Sequence, residues 1–259
     1  MIGRAICYNY NLFMKKGPFF SVIIPTLNEE MYLPKLLQVL SRQTCKDFEV
    51  IVVDADSSDQ TMRVSQKHNS VLPIKFKTVK FQNVARQRNT GARLAGGKYL
   101  IFIDADVLFG QYYLACLKEK LITRQPDYAT TRFMPDTNNL IDQLLAYMTN
   151  LGMILMFYLK KPFVGGQNMI FRKQAFINLG GFDQSLTLAE DHDLVQRAAR
   201  KGLRGNYYLN LTHVSSFRRL EREGRMAIIA KYFYSSLYLL IKGPIRKPLY
   251  KYQMGGKTD

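Results

Sequence analysis

The feature that most constrains the fold is an alternation of short apolar runs with segments of helical spacing. The runs are rich in β-branched and aromatic residues, as buried strands are. They lie at residues 19–25, 48–54, 74–79 and 99–109. The second helical segment opens with Ser57 and Gln60 in the spacing of a capping box. This β–α–β alternation predicts an α/β fold, a doubly wound and mainly parallel sheet flanked by helices on both faces.

The second half of the chain is less regular. Helices are predicted at residues 140–159, 190–202 and 226–241, and short strands at 168–172 and 206–210. No internal repeat or low-complexity linker divides the sequence. The pattern therefore predicts one domain over residues 18–220, preceded by an N-terminal extension (1–17) and followed by a C-terminal amphipathic segment (221–259).

The composition indicates which kinds of partner the protein could bind and which cellular compartment suits it. The net charge of +17 implies an anionic partner, such as nucleic acid, an acidic membrane surface or a phosphorylated substrate. Cys7, Cys45 and Cys116 are widely spaced, which argues against a disulfide framework or structural zinc and favours a reducing cytosol. No run reaches the roughly 18 apolar residues of a spanning helix, and polar residues interrupt any signal-peptide core.

Polar residues follow three of the predicted strands, in the stretches PTLNEE, DADSSD and DAD. Ligands of such sheets bind at the carboxyl ends of the strands, although the same side chains could simply cap the helices that follow. The first strand is not followed by G-x-G-x-x-G, and G-x-x-x-x-G-K-[ST] is absent from the sequence. A phosphate ligand would therefore be held by a metal ion and basic side chains.

Two carboxylates, Asp104 and Asp106, end the run that begins at Tyr99. Residues i and i+2 of a strand point to the same side, where like charges repel unless a cation lies between them. Mg²⁺ and Mn²⁺ favour one or two carboxylates together with substrate phosphates. The pair predicts a metal–phosphate site, and two solvated aspartates in a turn are the alternative.

Five blocks in this order resemble family-2 glycosyltransferases of the GT-A fold. They are SVIIPTLNEE, VIVVDADSSDQT, ARQRNTGARLAGGKYLIFIDADV, VGGQNMIFRKQAFINLGGFD and AEDHDL, and the similarity extends over about residues 19–220. The resemblance implies that the domain transfers a sugar, with inversion, from a UDP- or GDP-linked donor. The acceptor would be a hydroxyl or a phosphate on a carbohydrate or a lipid-linked molecule.

The resemblance also implies which residues bind the donor. The base and ribose would be held by Pro25, Thr26, Asn28, Glu29 and Asp54. Arg88 would contact the donor, and Asp104 and Asp106 match the Asp-x-Asp motif that brings Mn²⁺ or Mg²⁺ to the diphosphate. Relatives of this type often read Asp-Asp-Gly-Ser where this chain reads Asp-Ala-Asp-Ser, which leaves the base preference open.

On the acceptor side, the family pattern places the catalytic base at Asp191, with Glu190 beside it. The same carboxylates would also suit the N-terminus of a helix. Gln167 and Asn168 are expected near the acceptor. A late cluster adds His213, a candidate third metal ligand that could instead be structural, and Arg218 and Arg219, which could reach the diphosphate or lie on the surface.

Two other functions share parts of this pattern. A metal-dependent nucleotidyltransferase uses nucleotide, metal and acidic strand ends, but it has no need of the late GGQN and ED blocks. A basic nucleic-acid-binding protein clusters lysine, arginine and aromatic residues on one face, whereas the basic residues here are scattered along the chain. We therefore expect a nucleotide-sugar partner and no nucleic acid.

The helices predicted at residues 140–159 and 226–241 have broad apolar stripes followed by basic residues. They are too interrupted to span a bilayer and fit helices that lie in its interface. We expect peripheral association with an anionic membrane at its cytoplasmic face, which suits a lipid-linked acceptor. Packing on the sheet or in a dimer interface is the alternative.

Overall fold

The computed structural model describes residues 17–250 and Gly255. Its strands are β1 (Phe20–Thr26), β2 (Phe48–Asp54), β3 (Ile74–Thr78), β4 (Tyr99–Ile103), β5 (Val107–Phe109), β6 (Tyr128–Pro135), β7 (Asn168–Arg172) and β8 (Gly205–Ser215). Its helices are α1 (Leu33–Ser41), α2 (Thr61–Lys67), α3 (Val84–Leu94), α4 (Tyr113–Arg124), α5 (Leu140–Tyr158), α6 (Lys173–Asn178), α7 (Glu190–Arg200), α8 (Arg218–Glu223) and α9 (Arg225–Lys242). Almost all of the predicted N-terminal extension lies outside the described residues.

These strands form one sheet in the order β3-β2-β1-β4-β7-β6-β8-β5. The first four strands of the chain are parallel, with Phe20 opposite both Phe48 and Tyr99. β7 then runs antiparallel to β4 and β6, and β5 runs antiparallel to β8. The predicted mainly parallel sheet is confirmed for the first half, where β3 is the edge strand, and the second half adds a mixed extension.

Helices cover both faces of the parallel strands. Val22 and Ile24 of β1 pack in a core with the leucines of α1, whereas Ile23 faces a second core with α3 and α7. Successive residues of a strand point to opposite faces, so β1 is buried on both sides. Ser21, near the start of the strand, is buried and bonds Glu49, and the other polar residue, Thr26, lies at the carboxyl edge of the sheet.

A glycine brings α3 close to the sheet. A Cβ atom at Gly91 would lie 2.3 Å from Cγ2 of Ile23, so no larger residue fits without a shift of the helix. One turn earlier on α3, the Gln87 amide donates to the carbonyls of Thr26 and Val53, each at 2.8 Å. The close approach and these two bonds fix α3 across the ends of β1 and β2.

The loop before α2 differs from the prediction. The helix begins after Gln60, which makes no side-chain capping bond, so the capping box predicted for Ser57 and Gln60 is wrong. The Ser57 hydroxyl donates instead to the Asp54 carboxylate at 2.5 Å. In a capping box the serine oxygen accepts a backbone N–H of the helix, whereas here the Ser57 oxygen accepts the N–H of Asn28.

The predicted helix at residues 140–159 packs on the sheet by one face only. Ala146, Asn150 and Met153 are buried, and Asn150 bonds the backbone of Phe133 through both its oxygen and its nitrogen. Most of its other apolar side chains are exposed. α5 is, within the described part of the chain, the one helix that is long and apolar enough to cross a membrane.

Candidate active site at the carboxyl edge of the sheet

A network of hydrogen bonds joins the ends of β1 and β2. The Asp54 carboxylate accepts from the Thr26 hydroxyl at 2.9 Å and from the Ser57 backbone N–H at 2.8 Å. The Ser57 hydroxyl oxygen in turn accepts from the Asn28 backbone N–H at 2.8 Å. Asp54 is buried, so its negative charge is compensated by these donors. The loop after each strand is thereby held in place.

Arg88 of α3 is the centre of the site. Its side chain is 3% exposed, and its Nη1 donates to Glu190 Oε1 at 2.8 Å. Its Nη2 donates to Asp104 Oδ1 at 2.9 Å and to the Gly166 carbonyl at 3.0 Å. One guanidinium therefore links the end of β4, the loop before β7 and the start of α7.

A second arginine holds the other carboxylates. The guanidinium of Arg218 makes two bonds to the Glu29 carboxylate, at 2.9 and 3.1 Å, and lies 3.1 Å from Asp106 Oδ2. Its Cζ stands 4.1 Å above the ring of Tyr32. This planar, stacked and bidentate arrangement suits arginine and not lysine. α8 is thus tied to the loops after β1 and β4.

Burial raises the pKa of several of these carboxyls. Desolvation raises the pKa of Asp106 to about 7, against the lowering effect of Arg218. Desolvation and the neighbouring Asp191 raise the pKa of Glu190 to about 7, and desolvation also raises the pKa of Asp191. Carboxyls that titrate near neutrality in a polar cluster are candidates for proton transfer.

Gly166 allows Asp191 and Arg88 to approach each other. A Cβ atom at Gly166 would lie 2.9 Å from Arg88 Nη2 and 3.0 Å from Asp191 Oδ2. The next residue, Gln167, is half-buried, and its carbonyl accepts the Asp104 N–H at 3.3 Å. The loop before β7 therefore passes directly between the carboxylates at the end of β4 and those of α7.

Strained backbone occurs at three places around this cluster. Asn28, Asp56 and Ala189 have φ values of 54°, 61° and 60°, in the left-handed region that is uncommon for residues other than glycine. Each costs on the order of 1–3 kcal/mol and persists only where the surroundings enforce it. The turn at Ala189 sets Glu190 and Asp191 in the first turn of α7.

The structure corrects two predicted roles. Asn168 is 1% exposed, and its amide donates to the Tyr113 and Thr131 hydroxyls at 2.6 and 3.0 Å. The same cluster contains His213, whose Nδ1 lies 2.9 Å from the Thr131 hydroxyl and whose pKa is lowered to about 3 by burial. Both side chains lie in the core, so the prediction that Asn168 faces the acceptor is wrong.

His213 is also not placed as a third metal ligand. Across residues 17–250 and Gly255, no group of three or more histidine, cysteine, aspartate or glutamate residues is arranged to hold a metal ion. His213 is buried where β8 pairs with β5, and it does not join the carboxylates that follow β4. Arg219, beside Arg218 on α8, is half-buried, and its role at the diphosphate stays a prediction.

The two aspartates fit a divalent cation together with a phosphate ligand. Asp104 and Asp106 offer hard oxygen donors in one turn, and the Asp104 side chain is 35% exposed. Mg²⁺ is commonly bound by one or two carboxylates, with substrate phosphates in other positions of its coordination shell. The donor set therefore suits Mn²⁺ or Mg²⁺ without a histidine.

Three residues of the site were not predicted to belong to it. They are Ser57, Tyr32 and Gln87, which respectively bond Asp54, stack under Arg218, and bond the ends of β1 and β2. Gln87 precedes Arg88, so it stood within a recognised motif. No periodicity or charge pattern singles out Tyr32.

The fold and its acidic edge together define a class. The mostly parallel sheet covered by helices is a GT-A-type fold, which solved glycosyltransferases share. In this chain paired carboxylates follow β4 and begin α7. The model of glycosyl transferase family 2 matches residues 21–180. The chain belongs to this family, as the five sequence blocks predicted.

Other glycosyltransferases match parts of the chain. An uncharacterized glycosyltransferase of Haemophilus influenzae is 27% identical over 197 residues, which cover 73% of this chain and 65% of that protein. A validoxylamine A glucosyltransferase of Streptomyces hygroscopicus is 43% identical over 101 residues, 38% of this chain and 22% of that protein. The chain thus spans about two thirds of the first relative and under a quarter of the second.

Two solved structures share the fold. TarS of Staphylococcus aureus in complex with UDP superposes with a TM-score of 0.65 at 22% identity, covering 76% of this chain and 60% of that one. A mannosyltransferase of Pyrobaculum calidifontis in complex with GDP-Man and Mn²⁺ gives a TM-score of 0.64 at 20% identity, with 88% and 72% covered. At these identities the likeness establishes the fold.

Proposed function

We propose that this glycosyltransferase moves a sugar, with inversion, from a UDP- or GDP-linked donor to an acceptor hydroxyl or phosphate. The observation that carries the proposal is the position of Arg88, which bonds Asp104 on one side and Glu190 on the other, at 2.9 and 2.8 Å. A metal-binding carboxylate and an acceptor-side carboxylate then lie on either side of one guanidinium. The UDP complex of TarS and the GDP-Man complex of the mannosyltransferase support the donor class.

The donor would lie along the ends of β1, β2 and β4. Thr26, Asn28 and Asp54 line the base and ribose, beginning where Pro25 ends the apolar part of β1. A divalent cation held by Asp104 and Asp106 would offset the charge that develops on the leaving diphosphate. Arg218 keeps Glu29 and Asp106 in position and adds a fixed positive charge beside them.

Inversion needs one base on the acceptor side. The acceptor oxygen attacks the anomeric carbon while the bond from that carbon to the diphosphate breaks, and the electron pair leaves with the nucleoside diphosphate. Asp191 takes the proton of the acceptor hydroxyl. Glu190 is engaged with Arg88, and Asp193 is paired with Arg197 at 2.7 Å, which leaves Asp191 as the carboxylate not tied to an arginine.

Two variants test the proposed chemistry. Asp106→Ala should abolish Mn²⁺-dependent binding of the nucleoside diphosphate, measured by calorimetry, because the cation loses a ligand. Asp191→Asn should keep that binding but lose turnover by about 10²–10⁴-fold, as expected for a general base. Asp193→Asn is the matched control on the same helix and should retain turnover. Unchanged affinity in Asp106→Ala would refute the metal role, and normal turnover in Asp191→Asn would refute the base.

We further propose that the enzyme works at the cytoplasmic face of an anionic membrane, without spanning it. α5 and α9 are joined by Arg225, which makes two bonds to the Asp142 carboxylate at 2.7 and 2.8 Å. Both helices expose large apolar side chains, among them Leu144 and Phe233. The net charge of +17 favours an acidic leaflet, where each basic residue near the surface contributes about 1 kcal/mol.

The packing of α5 supports an interfacial rather than a spanning position. Asn150 bonds the backbone of Phe133 twice, at 3.1 and 2.9 Å, and insertion across a bilayer would break both bonds. An amphipathic helix that keeps its polar face on the protein can bury its apolar face at the headgroup boundary. Such a position would suit a lipid-linked acceptor.

Co-sedimentation with vesicles of graded phosphatidylserine content tests the membrane proposal. Leu144→Asp on α5 and Phe233→Asp on α9 should each lower the bound fraction, because a charge replaces an exposed apolar side chain on the proposed face. Ile122→Asp is the matched control, since Ile122 is similarly exposed but lies on α4. Equal losses in all three variants, or no binding of the unmodified chain at low salt, would contradict the proposal.

A further inference from the structure

The segment after α9, residues 243–250, returns to the acceptor side of the site; we call it the C-terminal strap. The backbone N–H of Thr187 donates to the Ile245 carbonyl at 3.0 Å, and its hydroxyl donates to the same oxygen at 3.3 Å. Ile245 is fully buried. Arg246 pairs with Asp183 at 3.5 Å. The strap is therefore fastened to the loop that leads into Glu190 and Asp191.

The strap encloses a cavity of about 380 Å³ against the start of α3. This volume is within the usual range of small-molecule sites, roughly 300–1,000 Å³. The apolar part of its lining comes from α3, from the loop before α7 and from the strap: Val84, Leu186, Leu188, Pro248 and Leu249. Tyr250 and Glu190 are also in the wall.

Glu190 connects the cavity to the donor side. The same carboxylate that lines the cavity accepts from Arg88 at 2.8 Å, and Arg88 bonds Asp104 at 2.9 Å. A molecule in the cavity would thus have one end at Glu190, the neighbour of Asp191 in the chain, and the other between aliphatic side chains. The far wall belongs to the strap, which continues directly from α9 and its exposed apolar residues.

We propose that this cavity binds the acceptor, and that the acceptor is an amphiphile whose hydroxylated head lies at Glu190 and whose apolar portion lies between Val84, Leu186 and Leu249. The assignment rests on the proposed glycosyl transfer. The lining is half polar, from Gln82, Asn83, Thr187, Glu190 and Tyr250, and half apolar. A purely polar oligosaccharide would leave the apolar half without partners, whereas an amphiphile matches both halves. Burial of an alkyl chain there removes apolar surface from water, which favours binding.

The chain contains no tryptophan, so a single introduced tryptophan reports on the cavity alone. Leu249→Trp places the reporter in the strap, and Leu188→Trp places it in the opposite wall. Titration with n-octyl β-glucoside below its micelle concentration should give a saturable blue shift in both variants. Methyl β-glucoside, which has the same head and no chain, should give none. The measurement needs neither donor nor metal, so it can fail or succeed independently of turnover.

A reporter on α9 separates the cavity from non-specific adsorption. Phe233→Trp lies on an exposed apolar position of α9 and should show no saturation in the same concentration range. Val84→Asp, added to the Leu249→Trp chain, should weaken octyl glucoside binding by about tenfold or more, since it replaces an apolar wall with a charge. Equal responses in the strap and α9 reporters, or no response in either cavity reporter, would overturn the proposal. Circular dichroism melting of each variant confirms that it is folded.

Discussion

Replacement of Arg88 by methionine tests the electrostatic core of the site. Methionine keeps the aliphatic stem but removes the guanidinium that faces Glu190 at 2.8 Å and Asp104 at 2.9 Å. The arginine side chain is 3% exposed, so water cannot replace it without rearrangement. Two carboxylates then lose their common cation, with Asp191 close by as a third negative group.

The expected loss of stability follows from the burial of each partner. Removal of one member of a buried ion pair typically costs about 3–5 kcal/mol. Asp104 is 35% exposed whereas Glu190 is 14% exposed, so rehydration of Asp104 offsets part of the cost, and we expect about 3 kcal/mol at pH 8. At about 2–4 °C of melting temperature for each kcal/mol in a chain of this size, Tm should fall by about 6–12 °C.

The loss should depend on pH. Burial holds the pKa of Glu190 at about 7, above its ordinary value of 4.5, although Arg88 lowers it. A carboxyl with a raised folded pKa destabilises the fold as pH rises through that window, because the folded state must release a proton that it binds more tightly. Without Arg88 the pKa rises further. The difference in Tm between the two proteins should therefore be small below pH 7, and it should grow as the pH rises above 7 towards the higher pKa that Glu190 has in the variant.

Thermal melting followed by circular dichroism at pH 5 and pH 8 gives both quantities. Arg86→Met is the matched control, because Arg86 lies on the same helix with an exposed side chain that stacks on Phe81. Its loss should cost about 1 kcal/mol or less. A fall in Tm at pH 8 no larger for Arg88→Met than for Arg86→Met, or one independent of pH, would refute the reasoning.

Three further substitutions separate the parts of the structure. Gly166→Ala should lower turnover, since its Cβ would lie 3.0 Å from the Asp191 carboxylate. Gly165→Ala is the control: its Cβ meets only the flexible end of a side chain, so turnover should be retained in the same assay. His213→Gln should lower Tm but leave the Mn²⁺-dependent donor affinity unchanged in calorimetry, because His213 lies in the core. Asp142→Asn should lower both Tm and vesicle binding, because it weakens the contact of α9 with α5. A loss of only one of the two would contradict the idea that this contact supports both stability and membrane binding.

The parallel half of the sheet was predictable because its signals are local. A strand buried on both faces reads as an unbroken apolar run, as in β1 and β2, and its first polar residue marks the carboxyl edge. The mixed half was not predictable in the same way. β7 pairs antiparallel with β4, 65 residues or more away in sequence, and no local pattern encodes the direction of such a pairing.

The acidic residues of the site were predictable, but their partners were not. Asp104, Asp106, Glu190 and Asp191 stand in short motifs whose spacing is visible in the sequence. Whether a histidine or an asparagine near such motifs faces the ligand or the core depends on which face of a strand it occupies. Asn168 and His213 both face the core, where each is hydrogen-bonded to the Thr131 hydroxyl. A shift of one residue in the strand register would have turned either side chain outward.

The two arginines explain how so many carboxylates can share one edge of the sheet. Arg88 joins Asp104 to Glu190, and Arg218 joins Glu29 to Asp106, so each cation links two elements that are far apart in sequence. Without the arginines, these buried carboxylates would repel each other, and the repulsion would favour their protonated forms. A donor diphosphate brings more negative charge to the same place, and a divalent cation between Asp104 and Asp106 is the means by which the proposed site could accept it. The arginines offset the charge of the carboxylates they bond, and under the proposed function a divalent cation would offset the charge of the donor diphosphate.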